Sequence, residues 1–145
     1  MSANMNWVKR VARSMPFYRR LGIRLVGLSS GCSELQLRVT RSLTQSAGVA
    51  HGGVAASLID SAVGLALCTL IEPEQLITTV EMKLNYLSPV PIGTLKASGK
   101  IIHRGKRIAV GEAEARVRKR LVAKGLVTYA ILDRKITNTV LKPSD

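Results

Sequence analysis

The stretch from Gln45 to Gly53, followed by Asp60, combines residue types that could bind a developing negative charge and supply a carboxylate. Gly52 and Gly53 open an apolar helical segment, and the first N–H groups of a helix have no partners within it. Aided by the helix dipole, such donors suit an oxyanion formed in acyl transfer, where each is worth roughly 2.7–4 kcal/mol. A glycine-rich turn that merely leads a helix into a sheet would look the same. Asp60, which follows in the same helical segment, favours the chemical interpretation.

Asp60 lies within an otherwise apolar helical segment. A carboxylate is costly to bury there, so it must be paired, protonated or functional. The structural interpretation is a carboxylate held by serine hydroxyls, for example those of Ser57 or Ser61. In the functional interpretation, Asp60 attacks an acyl carbonyl directly or deprotonates a water that does so. Both routes stay open at the level of sequence.

The spacing of Gly52 and Asp60 limits what a single helix can bring together. They are eight residues apart, which corresponds to about 12 Å along a helix axis. One helix therefore cannot bring both groups to one carbonyl. If both act on the same group, the carboxylate must come from a second copy of the helix in a symmetric dimer. We therefore expect the active site at a subunit interface.

The hydropathy pattern predicts the elements that would hold these residues. An amphipathic helix precedes Pro16, the chain becomes extended from Gly22, and a buried helix of about five turns follows Gly53. Alternating apolar residues predict a strand around 35–39, and Val80, Met82, Leu84 and Tyr86 are expected to share one face of a later strand. The later predicted strands are 77–87, 94–103, 107–117 and about 126–132. This order favours an α+β fold with a largely antiparallel sheet.

Length and composition favour one domain. The chain has 145 residues, of which 46% are hydrophobic, enough for one core without disulfides or a metal. We expect an N-terminal helix and lead-in (1–20), a core (21–135) and a tail (136–145). Cys32 and Cys68 match no metal-ligand spacing, so we expect reduced thiols, no metal site and no cofactor.

Charge and hydropathy limit the kinds of partner that the protein is expected to bind. The net charge of +13 attracts phosphate-bearing ligands of any kind, or serves only as a solvated surface, whereas 3% aromatic residues argue against stacking on nucleic-acid bases. We expect no specific nucleic-acid partner. Residues 1–8 lack the pattern of a signal peptide, which favours a cytoplasmic protein. The apolar run 54–71 contains Asp60, so we expect a buried helix and no membrane span.

Four segments carry a resemblance to a known family. They are 48–53 (GVAHGG), 58–60 (LID), 79–82 (TVEM) and 86–89 (YLSP), in this order. With them, the chain resembles the hotdog-fold acyl-coenzyme A thioesterases of the phenylacetate-degradation (PaaI-like) type from about residue 21 to 132. The resemblance implies a curved antiparallel sheet wrapped around a long central helix, paired into homodimers and often into dimers of dimers.

The resemblance also implies roles for individual residues. The Gly52 N–H would polarise the thioester carbonyl, and Asp60 would be the nucleophile or the general base. Thr79 occupies the place of a hydroxyl residue that helps to orient the attacking water. Gln45 stands where many relatives have asparagine. His51 is expected to order the helix entrance through hydrogen bonds rather than to act as a base.

Coenzyme A carries phosphates, so its site needs cations and donors near the surface. The resemblance implies that it is part of the acyl-CoA substrate rather than a cofactor. The implied substrate-binding residues are Gly53, Ser88, Arg104, Gly105, Lys106 and Arg107. Ordinary turn charges are the alternative interpretation of the basic positions.

Two other functions remain as alternatives. A hotdog hydratase or dehydratase would use His51 paired with Asp60. A non-catalytic acyl-CoA sensor that binds DNA would need a further domain, and about twenty residues before the core are too few for a helix-turn-helix. Aromatic, medium-chain and long-chain acyl groups are all compatible with the sequence.

Overall fold

The computed structural model describes residues 3–133. The helices are α1 (Ala3–Ser14), α2 (Pro16–Leu21) and α3 (Gly52–Cys68). The strands are β1 (Arg24–Ser29), β2 (Cys32–Val39), β3 (Gln75–Tyr86), β4 (Gly93–Arg104), β5 (Ile108–Val117) and β6 (Arg120–Asp133). The predicted tail, 136–145, lies outside the described residues, and the domain boundaries stay a prediction.

All six strands form one antiparallel sheet in the order β1-β2-β4-β5-β6-β3. The sheet curves around α3, and α1 packs against both β1 and α3. The predicted α+β hotdog architecture, with its long central helix and short N-terminal helix, is confirmed. β3 lies at one end of the sheet and pairs only with β6 among the described strands, so its outer edge faces away from the sheet.

The central helix is apolar on nearly every side because the sheet surrounds it. Its 17 residues include a continuous buried stretch from Ser61 to Cys68. Two strand glycines permit the close approach: a Cβ at Gly99 would lie 2.5 Å from the Ala62 backbone, and one at Gly111 2.5 Å from Val63 Cγ1. Within residues 3–133, no helix has the length and apolar character needed to cross a membrane.

Two strands differ from the prediction. β3 contains a bulge between Thr79 and Glu81, so its alternation changes in mid-strand. Met82 packs against the core, whereas Val80 is 57% exposed and does not share that buried surface. β6 begins at Arg120 rather than near residue 126, because buried apolar residues extend the strand back to the turn at residues 118–119.

Candidate active site

Backbone hydrogen bonds hold the loop before α3 in one conformation. Gln45 N–H donates to Val49 O at 2.9 Å, and Gly48 N–H donates to Gln45 O at 3.0 Å. Gly48 has φ +78°, a conformation that favours glycine. Ala50 N–H donates to Val90 O at 2.8 Å, which ties the loop to the β3–β4 connection. The entrance to the helix is therefore fixed from two sides.

The side chain of Gln45 is exposed and oriented by this loop. Its Oε1 accepts the Ala47 N–H at 2.6 Å. Because a backbone N–H can only donate, this contact identifies the oxygen end of the amide. The Nε2 end forms no hydrogen bond within residues 3–133 and can donate to a ligand.

His51 caps the start of α3. Its Nδ1 accepts the Gly53 N–H at 2.9 Å, and its carbonyl accepts the Val54 N–H at 2.9 Å. The Gly53 N–H is therefore already used, whereas the Gly52 N–H has no partner anywhere in residues 3–133. Gly52 thus supplies an open donor at the positive end of the helix.

Tyr86 supports Gly52 from the end of β3 and was not among the predicted site residues. Its hydroxyl donates to Gly52 O at 2.9 Å, and a Cβ at Gly52 would lie 3.1 Å from the tyrosine ring. A cleft of about 400 Å³ lies beside these residues and is called the glycine cleft here. Its lining includes Gln45, His51, Gly52, Tyr86 and Ser88.

Asp60 is held by residues of two strands. Its Oδ1 lies 3.0 Å from Thr79 Oγ1 and 2.8 Å from the Tyr129 hydroxyl, both of which can donate to it. The expectation of a serine partner fails for Ser57, whose hydroxyl donates to Gly53 O at 2.7 Å. Oδ2 of Asp60 has no hydrogen-bond partner within the described part of the chain. The carboxylate is thus oriented with one oxygen open.

Tyr129 is the second site residue that sequence analysis missed. Burial raises its pKa far above the usual range, and the negative charge of Asp60 adds to the effect. Its hydroxyl therefore keeps its proton as a hydrogen-bond donor. Gly64, one turn after Asp60, makes room for it, because a Cβ there would lie 2.8 Å from the hydroxyl. A glycine inside a helix was the available signal of a close contact.

Asp60, Thr79 and Tyr129 line a second cleft of about 440 Å³, called the carboxylate cleft here. This cleft and the glycine cleft have no lining residue in common. Within one subunit, the structure therefore brings Thr79 to Asp60, and brings Gln45 and His51 to Gly52, but keeps the two groups apart.

The sheet register separates the predicted CoA-binding residues in the same way. Ser88 N–H donates to Val122 O, while Arg107 O accepts the Ile131 N–H. These two positions of β6 are roughly 30 Å apart at 3.3 Å per strand residue. Ser88 thus lies at the Gly52 end. The exposed turn that joins β4 to β5 lies at the Asp60 end and contains Arg104, Gly105, Lys106 and Arg107.

The described residues offer little for metal or thiol chemistry. No group of three or more His, Cys, Asp or Glu residues is placed to hold a metal ion within 3–133. Cys32 and Cys68 are both free thiols. Cys68 lines the carboxylate cleft, but burial raises its pKa to about 11, so it stays protonated and is a poor nucleophile.

Comparison with known proteins places this site in a family. Residues 47–124, which contain both Gly52 and Asp60, match the family model described as Thioesterase superfamily. The chain belongs to this superfamily. A 1,4-dihydroxy-2-naphthoyl-CoA hydrolase from Listeria monocytogenes is 32% identical over 98 residues, which cover 68% of this chain and 80% of the relative.

Two solved structures share the fold. A thioesterase family protein from Silicibacter pomeroyi superposes with a TM-score of 0.86 and 30% identity, covering 90% of this chain and 99% of that one. The Escherichia coli PaaI protein superposes with a TM-score of 0.80 and 21% identity, covering 88% and 91%. The predicted PaaI-like hotdog resemblance is confirmed. This superfamily member is a thioester hydrolase, as predicted.

Proposed function

We propose that the protein hydrolyses acyl-CoA to the free acid and CoA in active sites that are each completed by two subunits. The observation that carries the proposal is the separation of the open Gly52 donor and the oriented Asp60 carboxylate into different clefts. The name of the Listeria relative supports a CoA thioester as the substrate class. The net charge of +13 favours binding of its phosphates.

The edge strand β3 supports a dimer. It is 12 residues long, and Val80 on it is 57% exposed. A long unpaired edge is a template for pairing with another strand. Pairing of two β3 strands about a two-fold axis would join the sheets and set the two copies of α3 side by side in opposite directions. Gly52 of one copy then approaches Asp60 of the other, and such dimers can pair again into tetramers.

The proposed reaction uses groups from both clefts. The Gly52 N–H, assisted by Gln45 Nε2, stabilises the negative charge that develops on the thioester oxygen. On the other face, Asp60 Oδ2 removes a proton from water as the water adds to the carbonyl, or adds to the carbonyl itself to form an anhydride that water then cleaves. The C–S bond breaks, and the CoA sulfur leaves as a thiolate that takes up a proton.

Supporting residues have separate tasks in this proposal. Thr79 holds Oδ1 of Asp60 and lies beside the path of the water. His51 positions the helix entrance through the Gly53 N–H rather than acting as a base, which favours hydrolysis over hydration. Lys106 and its basic neighbours in the β4–β5 turn bind phosphates of CoA, while Ser88 and Gly53 of the other subunit border the same ligand.

A thiol-release assay with a panel of acyl-CoA substrates tests the proposal. Asp60→Asn preserves the shape but removes the carboxylate, so we expect activity to fall about 10²-fold or more. The variant should keep its circular dichroism spectrum and elution volume. Equal rates for the two proteins, or hydration of an enoyl-CoA without thiol release, would refute the proposal.

A hybrid-dimer experiment tests the shared site. Gly52→Pro removes the N–H, and the extended conformation of His51, with ψ 139°, suits a residue before proline. Gly52→Ala is the matched control, because it adds a Cβ against Tyr86 but keeps the N–H. Mixed dimers of Asp60→Asn and Gly52→Pro contain one intact site. We expect random mixing to restore about a quarter of wild-type activity; no recovery would mean that each subunit acts alone.

A further inference from the structure

The N-terminal helices form one wall of the carboxylate cleft. Trp7 and Val11 of α1, Met15 between the two helices and Phe17 of α2 line it together with Leu65 and Ile71. None of the N-terminal residues belongs to the segments that carry the family resemblance, and the family match begins only at residue 47. We infer that α1 and α2 build the acyl-binding wall beside Asp60 and limit the substrate to an apolar acyl group of one aromatic ring or a medium-length chain.

This wall is anchored firmly enough to act as a boundary. Val8 is fully buried, so α1 is docked on the core. Asn4 Nδ2 lies 3.1 Å from both Thr69 O and Ile71 O, which ties the start of α1 to the end of α3. α2 is held by Tyr18, which is 5% exposed. The side chains that face the cleft are thus presented by fixed helices.

The chemistry of the lining selects an apolar ligand. Away from Asp60 and Thr79, the cleft is bordered mainly by aliphatic, aromatic and thioether side chains. The side chains of Tyr18 and Ser61 are buried, at 5% and 7% exposure, so they present little polar surface to a ligand. Removing apolar surface from water is favourable for both wall and ligand. A charged or strongly polar acyl group would lose hydration there and find few polar side chains to replace it.

The size of the cleft sets the upper limit. Its volume of about 440 Å³ lies in the lower part of the range of about 300–1,000 Å³ for small-molecule pockets. Phe17 is 51% exposed and stands at the open side, whereas Ile71 and Leu65 are buried and close the inner side. An acyl chain longer than this cleft would extend past Phe17 into solvent, where the extra length gains no burial.

The inference depends on the proposed function for its substrate class, but a binding experiment tests it separately. Trp7 is the only tryptophan of the chain, so its fluorescence reports on the wall. Octanoyl-CoA added to Asp60→Asn should shift the emission to the blue, because the acyl chain displaces water from the indole. CoA alone should leave the emission unchanged. Equal effects of octanoyl-CoA and CoA, or no effect of either at saturation, would overturn the inference.

A specificity experiment tests the size limit. Val11→Phe fills the cleft, and Asn6→Phe adds the same bulk at an exposed position of α1. We expect Val11→Phe to lower kcat/KM about tenfold or more further for octanoyl-CoA than for propionyl-CoA. Asn6→Phe should change neither. An equal loss for both substrates, or no change, would contradict the inference.

Two enlarging variants cover the case in which Val11→Phe fails to fold. Trp7→Ala and Met15→Ala should each move the preferred acyl chain to greater length relative to wild type, and an unchanged chain-length profile in both would refute the proposed wall. The proposed function fails in a different way, through absence of thiol release from every acyl-CoA by the wild-type protein. The two failures are thus distinguishable.

Discussion

The hydroxyl of Tyr129 lies 2.8 Å from Oδ1 and 2.7 Å from the backbone oxygen of Asp60. A residue of the last strand thereby shares its one hydroxyl proton between two oxygens of Asp60 and holds this residue of the central helix. Burial keeps the phenol protonated, so it acts as a donor. With Thr79 also at Oδ1, the open oxygen of Asp60 has a defined direction before substrate binds.

Tyr129→Phe should lower kcat about tenfold with little change in KM, since it removes orientation of the carboxylate and no substrate contact. Hydrogen bonds to charged groups contribute about 1.5–3 kcal/mol, so the free energy of unfolding should also fall. Thiol-release kinetics and urea unfolding measure the two effects. Thr128→Val, which removes a hydroxyl from the adjacent residue of β6, is the control; a similar loss of kcat there would contradict the assignment.

Gly64→Ala should destabilise the protein by about 1–3 kcal/mol, because the new Cβ meets the Tyr129 hydroxyl at 2.8 Å. In a helix interior the same change would otherwise stabilise by about 1 kcal/mol. In a Tyr129→Phe background, Gly64→Ala should therefore raise the free energy of unfolding instead of lowering it. The nearest ring carbon of residue 129 lies 3.4 Å from the added Cβ. Urea unfolding of wild type, Gly64→Ala, Tyr129→Phe and the double variant gives a double-mutant cycle. A destabilisation of equal size in both backgrounds would exclude the hydroxyl as its cause.

Much of this architecture follows from sequence periodicity. The apolar helix after Gly53 and the alternating strands could be predicted because each matches the period of its element. The glycine–aspartate spacing also predicted that one helix cannot unite both groups, and the two clefts agree with that expectation.

The partners of Asp60 could not be predicted, because they depend on register between distant strands. Tyr129 reaches Asp60 only because β6 pairs with β3 and because Gly64 leaves space. The bulge beside Thr79 likewise changes which β3 side chains face the core, and simple alternation cannot reveal it. A tyrosine in an apolar strand and a glycine within a helix were visible, but their pairing was not.

Lys106→Glu should raise KM for acyl-CoA about tenfold, since a charged hydrogen bond to phosphate is worth about 1.5–3 kcal/mol. The same acyl group on pantetheine lacks the nucleotide phosphates and should show no change in KM. Lys100→Glu, which makes the same charge reversal on an exposed residue of β4, controls for long-range attraction. Equal changes in the two variants would mean that the turn does not contact the ligand.

Alkaline conditions should destabilise the fold through its buried tyrosines. Burial raises the pKa of Tyr18 from 10.0 to about 12. Below pH 10 the phenol is protonated in both the folded and the unfolded chain and has no effect on pH dependence. Between pH 10 and about 12 only the unfolded chain releases the proton, so the free energy of unfolding should fall by about 1.4 kcal/mol per pH unit from this group.

Urea unfolding between pH 9 and pH 11.5 measures that slope. Tyr18→Phe lacks the ionising hydroxyl, so its slope above pH 10 should be shallower than that of wild type by the Tyr18 contribution, while the two slopes coincide below pH 10. Tyr129, whose pKa burial also raises, continues to contribute in both proteins and accounts for part of the remaining slope. Identical slopes above pH 10 would mean that Tyr18 ionises as readily in the folded chain as in the unfolded one, which its burial beside Ser61 and Cys68 argues against.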